Sequence, residues 1–312
     1  MIFWSSRKDK LLNSVKQWLL LKLICLKKPK VIICNSVEDF CLVNAEVGGG
    51  GIRIGVMSHS PIWPSDEKRE MGGSSEEVER IRVMEEFAFE RADFIITPSP
   101  HAMDSYVAER PDFRKIIELK SIYVETGVHP LRVCDRESLR EKFNIKTKYV
   151  VSFIGRHCES KGYDLLKVFG RKLLRDREDV TILVAGKVSK RLLPIDHPRW
   201  IELGWSDPAE VLACTDVYLS MNKASYFDLV LLEVMSLGIF VVGNRVGGTI
   251  DIAGKNPAMA LFYDEASFGK AIDGYLSLDD VSKKELRMAA RKSYEDNFTP
   301  RKFAENYLSA FH

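Results

Sequence analysis

Two cations, Arg156 and Lys161, flank a short polar turn in the stretch FIGRHCESKGYDLL, between an apolar run and an amphipathic segment. A strand-to-helix corner already turns backbone N–H groups towards anions. A planar guanidinium fork and a mobile ammonium added there suit a diphosphate. Taken alone, an Arg and a Lys near a loop read equally well as solvated surface charges. A second candidate is Glu233, set in the otherwise apolar LVLLEVMSLG (229–238). An unpaired carboxylate is costly to bury, and this one can accept hydrogen bonds from the two hydroxyls of a ribose. Its plain alternative is a helix position facing water. The N–H groups of Leu229 and Val230, at the start of that helix, can face a phosphate. Gly247 and Gly248 in RVGGTIDI permit a close backbone turn after a strand. His59, in SHSPIWP at a strand end, is the remaining candidate; by itself it reads as readily as a structural histidine.

These residues need elements to position them. Short β-branched runs alternate with longer helical patterns, which predicts α/β architecture with parallel sheets. In the first half KVIIC (30–34), IRIGVM (52–57) and DFIITPS (93–99) read as strands. Between the last two, Ser74 and Glu77 can form a capping box, and Ile81, Met84, Phe87 and Ala88 share one helix face. The second half predicts strands at 149–155, 180–186, 200–204, 216–221, 240–244 and 260–263, with helices in most gaps. Repeated strand–helix units make a doubly wound domain, whose ligands sit beyond the carboxyl ends of the strands. The expected organisation is a domain over 1–130, a second over 131–298 with a hinge at PLRVCDRES, and a C-terminal helix over 299–312 packing back towards the first domain. Phe303, Tyr307 and Leu308 form the apolar side of that helix.

At 312 residues the chain is long enough for two domains. A net charge of +2 is too balanced for bulk attraction to nucleic acid, so any anionic ligand must be held by a local site. The 6 cysteines are scattered with no C-x-x-C pair, which argues against zinc ligation and a disulfide framework. The opening MIFWSSRKDK does not have the order of a secretory signal. WLLLKLICL is interrupted by Lys22 and is far shorter than the roughly 20 residues of a membrane span. The expected location is cytoplasmic. A basic N-terminal helix (Lys10, Lys16, Lys22, Lys27 and Lys28 around WLLL) is read as packing its Leu face on the sheet, with peripheral contact to an anionic membrane as the alternative.

In chain order, GRHCESKG, ILVAGK, WIELGW, TDVYLSM and LVLLEVMSLGIFVVGNRVGG resemble the C-terminal domain of retaining GT-B glycosyltransferases of the group 1 type. TGVHP looks like that family's interdomain segment. SHSPIWP followed by FERADFIITPS looks like its N-domain His loop and a following strand. The resemblance covers about residues 30–312 and is strongest over 121–252. It implies two Rossmann-like domains facing a cleft, the N-terminal one truncated. It implies transfer of a sugar, with retention, from a nucleotide-diphosphate donor such as a UDP- or GDP-sugar to a hydroxyl of a glycan or lipid-linked acceptor. No other cofactor and no metal ion are implied. By the same resemblance Arg156 and Lys161 bind the donor diphosphate and stabilise its departure, Glu233 binds the ribose, and His59 serves the sugar side. Lys187, Gly204 and Trp205 lie near the base, and Ser225, Asp228, Leu229 and Val230 complete the donor site.

Two departures from the family pattern stand out. The family carries two glutamates eight residues apart, the first followed by a Gly-Phe-Gly-like turn; here Ser225 takes the first position and the turn reads Tyr226-Phe227-Asp228. Asp228 is expected to supply the displaced carboxylate. The N-terminal half reads as abbreviated, implying a fragment, a reduced version, or a chain completed by a partner. GGGG (48–51) precedes a strand and reads as a plain turn. The rival from another class is a non-catalytic GT-B-like scaffold or subunit that binds a nucleotide or a partner protein.

Overall fold

A computed structural model of the chain describes residues 2–4, 26–27, 29–48, 51–188 and 192–311. The chain divides into two compact units, Met1–Val124 and Glu125–His312, where the sequence suggests a boundary after residue 130.

The first unit is built on five parallel strands in the order β1 (Ile2–Trp4), β2 (Val31–Cys34), β3 (Arg53–Met57), β4 (Phe94–Thr97) and β5 (Ser121–Tyr123). The runs VIIC and FIIT are buried at every position, as strands covered on both faces must be. Strand β1 is a correction to the sequence expectation, which starts the sheet at residue 30. It pairs in parallel with β2, and three residues are too few to show any periodicity. The basic helix expected over Lys10 to Lys28 lies outside the described residues apart from Leu26 and Lys27, as do Gly49 and Gly50 of GGGG.

The helix Ser75–Arg91 begins with the expected capping box: Glu77 N–H donates to Ser74 Oγ at 3.2 Å, and Ser74 N–H donates to the Glu77 carboxylate at 3.0 Å. Its inward face differs from the expected one. Phe87 is exposed, and the buried residues are Val78, Ile81, Glu85, Ala88 and Phe89. The stripe is turned because Glu85 is held inside by polar partners described below.

The second unit carries six parallel strands in the order β11-β10-β9-β6-β7-β8: β6 (Tyr149–Ile154), β7 (Val180–Ala185), β8 (Trp200–Gly204), β9 (Val217–Ser220), β10 (Phe240–Asn244) and β11 (Met259–Phe262). All six fall within a residue or two of the runs expected for them. The chain starts at the centre with β6, winds outward through β7 and β8, then returns to wind the other way through β9, β10 and β11. This is the doubly wound arrangement, and its switch point lies between β6 and β9. The helix Leu229–Ser236 buries Leu231, Leu232, Val234 and Met235 against Tyr218, Val241, Tyr294 and Phe298. Each such side chain contributes about 1.5–3 kcal/mol, so the helix is a rigid support for whatever its first turn presents.

The TGVHP segment packs within this unit. Val128 N–H donates to Phe298 O at 2.9 Å, Tyr294 Oη–H to Val128 O at 2.7 Å, and Leu131 N–H to Ser236 Oγ at 3.3 Å. The last helix, Pro300–Ser309, is capped by Thr299 and buries Tyr307; Leu308, expected on the same apolar side, is exposed. Among the described residues no helix is long and apolar enough to cross a membrane.

Candidate functional site

The loop after β6 and the loop after β9 meet at the switch point. Gly162, which precedes the helix Tyr163–Asp176, adopts the left-handed conformation (φ 69°), and a Cβ there would lie 1.8 Å from Met221 O. Only glycine combines that dihedral with that approach. Lys223 N–H donates to Ser160 O at 3.0 Å and fastens the same contact. Lys161 therefore projects beside the start of the helix Leu229–Ser236. Its Nζ lies 3.0 Å from Asp228 Oδ2, which also accepts from Asn222 Nδ2 at 2.7 Å. Asp228 Oδ1 accepts from Val230 N–H at 3.3 Å, so Asp228 is the N-cap of this helix.

Two groups expected to meet the ligand already have partners within the chain. The Val230 N–H, expected to face a phosphate, is taken by the capping carboxylate. Asp228, expected as a displaced carboxylate, has both oxygens engaged by Lys161, Asn222 and the helix. The cause is local chemistry: an aspartate just before a helix folds back on its first turn. Burial pushes the Asp228 carboxyl up, but the Lys161 ammonium, the Asn222 amide and the Val230 N–H outweigh it and hold it below its ordinary value. Glu233, one turn further on, is half-buried, and no described side chain pairs with its carboxylate. Burial, and then the Asp228 charge, push its carboxyl up.

The remaining predicted donor-site residues cluster at the same edge of the sheet. Arg156 is exposed and, among the described residues, has no ion pair or side-chain hydrogen bond. Ser225 is 3% exposed; its carbonyl accepts from Gly248 N–H at 2.9 Å, while its hydroxyl has no partner among the described residues. A Cβ on Gly248 would lie 2.0 Å from Tyr226 O, so the glycine pair of RVGG holds up the 225–228 turn from below. On the other side of β6, Gly186 N–H donates to Gly204 O at 2.7 Å and His157 N–H to Lys187 O at 3.1 Å. Lys187, Gly204 and Trp205 are thus neighbours of the Arg156 loop, with Trp205 89% exposed. Leu229 is 46% exposed at the helix start.

A buried cluster that the sequence analysis did not anticipate lies beneath this loop. The His157 ring stacks on Tyr163, with centroids 3.9 Å apart and planes at 8°. Tyr163 Oη–H and Trp200 Nε1–H donate to Glu202 Oε1 at 2.7 and 2.8 Å, and His157 Nε2 lies 3.4 Å from Glu202 Oε2. Burial lowers the His157 pKa, opposed by Glu202. These residues fix the strand-to-helix corner that carries Arg156. The available signal was a glutamate inside the strand run WIELG.

His59 belongs to the first unit, two residues past β3, on the rim of a cavity of about 310 Å³ that Asn35, Ser36, Ser58 and Lys68 also line. Desolvation lowers its pKa, which favours the neutral imidazole. The loop that carries it is anchored by residues the sequence reading passed over. Trp63 is buried against Phe89, Tyr106 and Phe113, and its Nε1–H donates to Tyr106 O at 3.1 Å. The Arg110 guanidinium lies 4.2 Å from the Trp63 ring centroid and pairs with the fully buried Glu85. Glu85 also accepts from Ser65 N–H at 2.8 Å and Ser65 Oγ–H at 2.7 Å. Burial pushes the Glu85 carboxyl up despite these partners. The overlooked signal was a glutamate spaced four from both Ile81 and Phe89, on the apolar stripe itself.

Comparison with known proteins bears on this geometry. The family model for glycosyl transferases group 1 matches residues 148–277. The D-inositol 3-phosphate glycosyltransferase of Corynebacterium diphtheriae is 26% identical over 269 residues, covering 77% of this chain and 60% of that protein. The phosphatidylinositol N-acetylglucosaminyltransferase GPI3 subunit of Saccharomyces cerevisiae is 32% identical over 120 residues, covering 34% of this chain and 26% of that protein. The matches thus span at most about three-fifths of the length of these two relatives. Among solved structures, Anabaena HepE in complex with UDP superposes with a TM-score of 0.70 at 17% identity, covering 96% of this chain and 83% of that one. A glycosyltransferase from Rickettsia africae superposes with a TM-score of 0.69 at 16% identity, covering 99% and 83%. At such identities the structural likeness speaks for the fold. Residues 148–277 thus match the group 1 glycosyltransferase family, within a chain whose fold is like that of GT-B glycosyltransferases.

Proposed function

We propose that this chain transfers a sugar, with retention of configuration, from a nucleotide-diphosphate donor to a hydroxyl acceptor. The observation that carries the reading is the meeting, at the switch point of the second sheet, of the Arg156–Lys161 corner with the helix that bears Glu233. Arg156 and Lys161 hold the diphosphate, Glu233 accepts the ribose hydroxyls, and Lys187, Gly204 and the exposed Trp205 flank the base. The buried Ser225 hydroxyl, which has no partner among the described residues, is assigned by this reading to the sugar side.

In this reading the step is departure of the nucleotide diphosphate and attack by the acceptor hydroxyl on the same face. The bond between the anomeric carbon and the diphosphate breaks, the bond to the acceptor oxygen forms, and the acceptor proton leaves with the departing phosphate. Charge developing on the diphosphate is offset by the two cations, which is electrostatic stabilisation of the transition state, and the reading requires no metal ion. The acceptor is a glycan or a lipid-linked glycan. A second reading, nucleotide binding without transfer, draws support from the absence of a glutamate at Ser225 and from the pairing of Lys161 with Asp228.

A titration and hydrolysis panel over UDP, GDP, ADP and CMP and their sugar conjugates tests both. UDP is the first to try, since HepE was solved with it. Binding together with sugar release or transfer supports the enzyme, and binding with neither selects the scaffold. Absence of binding by every nucleotide rejects both.

A further inference from the structure

We propose that Asp228 is a resident anion in the diphosphate seat, and that a nucleotide diphosphate binds by taking Lys161 away from it. The inference rests on the nucleotide-site reading above and adds to it a residue that sets affinity. Three observations carry it. Lys161, one of the two cations offered to the ligand, is already neutralised by Asp228 at 3.0 Å. The Asp228 carboxylate also occupies a helix N–H, that of Val230 at 3.3 Å, which a phosphate oxygen would otherwise use. Asn222 adds a second hold at 2.7 Å, and Asn222 is itself fixed by Asn244 Nδ2 donating to its carbonyl at 2.9 Å.

The charge count follows directly. Arg156 and Lys161 supply two positive charges for the two negative charges of a diphosphate diester, and Asp228 returns one. The seat therefore carries a net single positive charge, held mainly by the exposed Arg156. Lys161 is 34% exposed and Asp228 14%, so an incoming phosphate reaches the ammonium from solvent without unfolding the loop. An incoming anion must exchange one charge-assisted hydrogen bond for another, so the seat binds more weakly than its cations alone would make it.

Asp228→Asn removes the charge and keeps one oxygen for the cap, since asparagine caps a helix as well as aspartate does; its amide nitrogen then faces Lys161 and Asn222 and no longer accepts from them. Isothermal titration of the full chain with UDP and with inorganic pyrophosphate is the measurement. Asp228→Asn should bind both about 10-fold tighter than wild type, the scale of one charge-assisted hydrogen bond. In a Lys161→Ala background the same change should give a much smaller gain, since the ammonium it releases is absent. Equal or weaker binding by Asp228→Asn, with wild type binding normally, overturns the inference and leaves the nucleotide site standing. Unchanged UDP affinity with lost use of a UDP-sugar also overturns it, and returns Asp228 to the sugar side. If neither protein binds UDP, GDP or pyrophosphate, the nucleotide-site reading itself fails.

Discussion

Both units place an acid–base pair at the carboxyl end of a parallel sheet, yet the two pairs are built differently. In the first, Glu85 is fully buried and Arg110 is 17% exposed. The guanidinium is also packed on Trp63, and the carboxylate has two further donors from Ser65. The carboxylate is satisfied entirely from inside, Arg110 also reaches the half-exposed Glu86 at 3.5 Å, and what the pair accomplishes is to hold the SHSPIWP loop. In the second, Lys161 and Asp228 are partly open, beside Arg156, which has no ion pair among the described residues. The difference is one of access: a sealed pair can only be a fastening, whereas a pair that solvent reaches can exchange partners with a ligand.

The largest expected effect lies on the sealed side. Glu85→Ala removes the fully buried carboxylate, which leaves Ser65 without its acceptor and Arg110 with only the longer pair to Glu86, and should destabilise the protein by about 3–5 kcal/mol, measured by urea unfolding with ring-current shifts of Trp63 as a local report. A loss no greater than that of an exposed pair would erase the contrast between the two sites. Next comes the open site: Arg156→Ala should weaken UDP binding by about 1–3 kcal/mol while leaving the unfolding midpoint nearly unmoved. If titration shows equal affinity, Arg156 has no part in the seat.

A smaller effect separates binding from folding. The Glu233 carboxyl is raised above its ordinary value of 4.5 by burial and then by Asp228. A raised acid favours the fold in its protonated form; that stability is fully present below the unfolded value and is lost as pH rises through the folded one. Glu233→Gln should therefore be slightly more stable than wild type at pH 7, by less than about 1 kcal/mol, and bind UDP less well. The stability gap should close as pH falls through the Glu233 titration. A variant that is less stable at pH 7 would show that the carboxylate has an internal partner. Smallest of all, Arg301→Ala breaks a pair that is 88% and 45% exposed and should change stability by under about 0.5 kcal/mol; a larger loss would mean exposure is a poor guide to what these pairs contribute.

Much of the fold was legible because buried parallel strands are written as unbroken β-branched runs. YVVSFI, VTILVA and FVVGN in the second unit and VIIC and FIIT in the first are such runs. Strand β1 escaped because three residues carry no pattern. The faces of the helices were harder, since Glu85 and Leu308 each break the rule that apolar means inside. At the site, Arg156, Lys161 and Glu233 announced themselves by residue type and by their place after strands. What those side chains touch did not show.

From the chain of letters alone came the doubly wound second domain, the corner with two cations and the carboxylate one turn into the helix after β9. These are local facts, fixed by hydrophobic period, glycine placement and residue type. Only the tertiary structure decided that Lys161 is held by Asp228, 67 positions further along, and that Glu85 is sealed by Arg110. Those pairings arise because chain winding brings distant loops to one edge of a sheet, and in a low-dielectric setting opposite charges that meet there must satisfy each other.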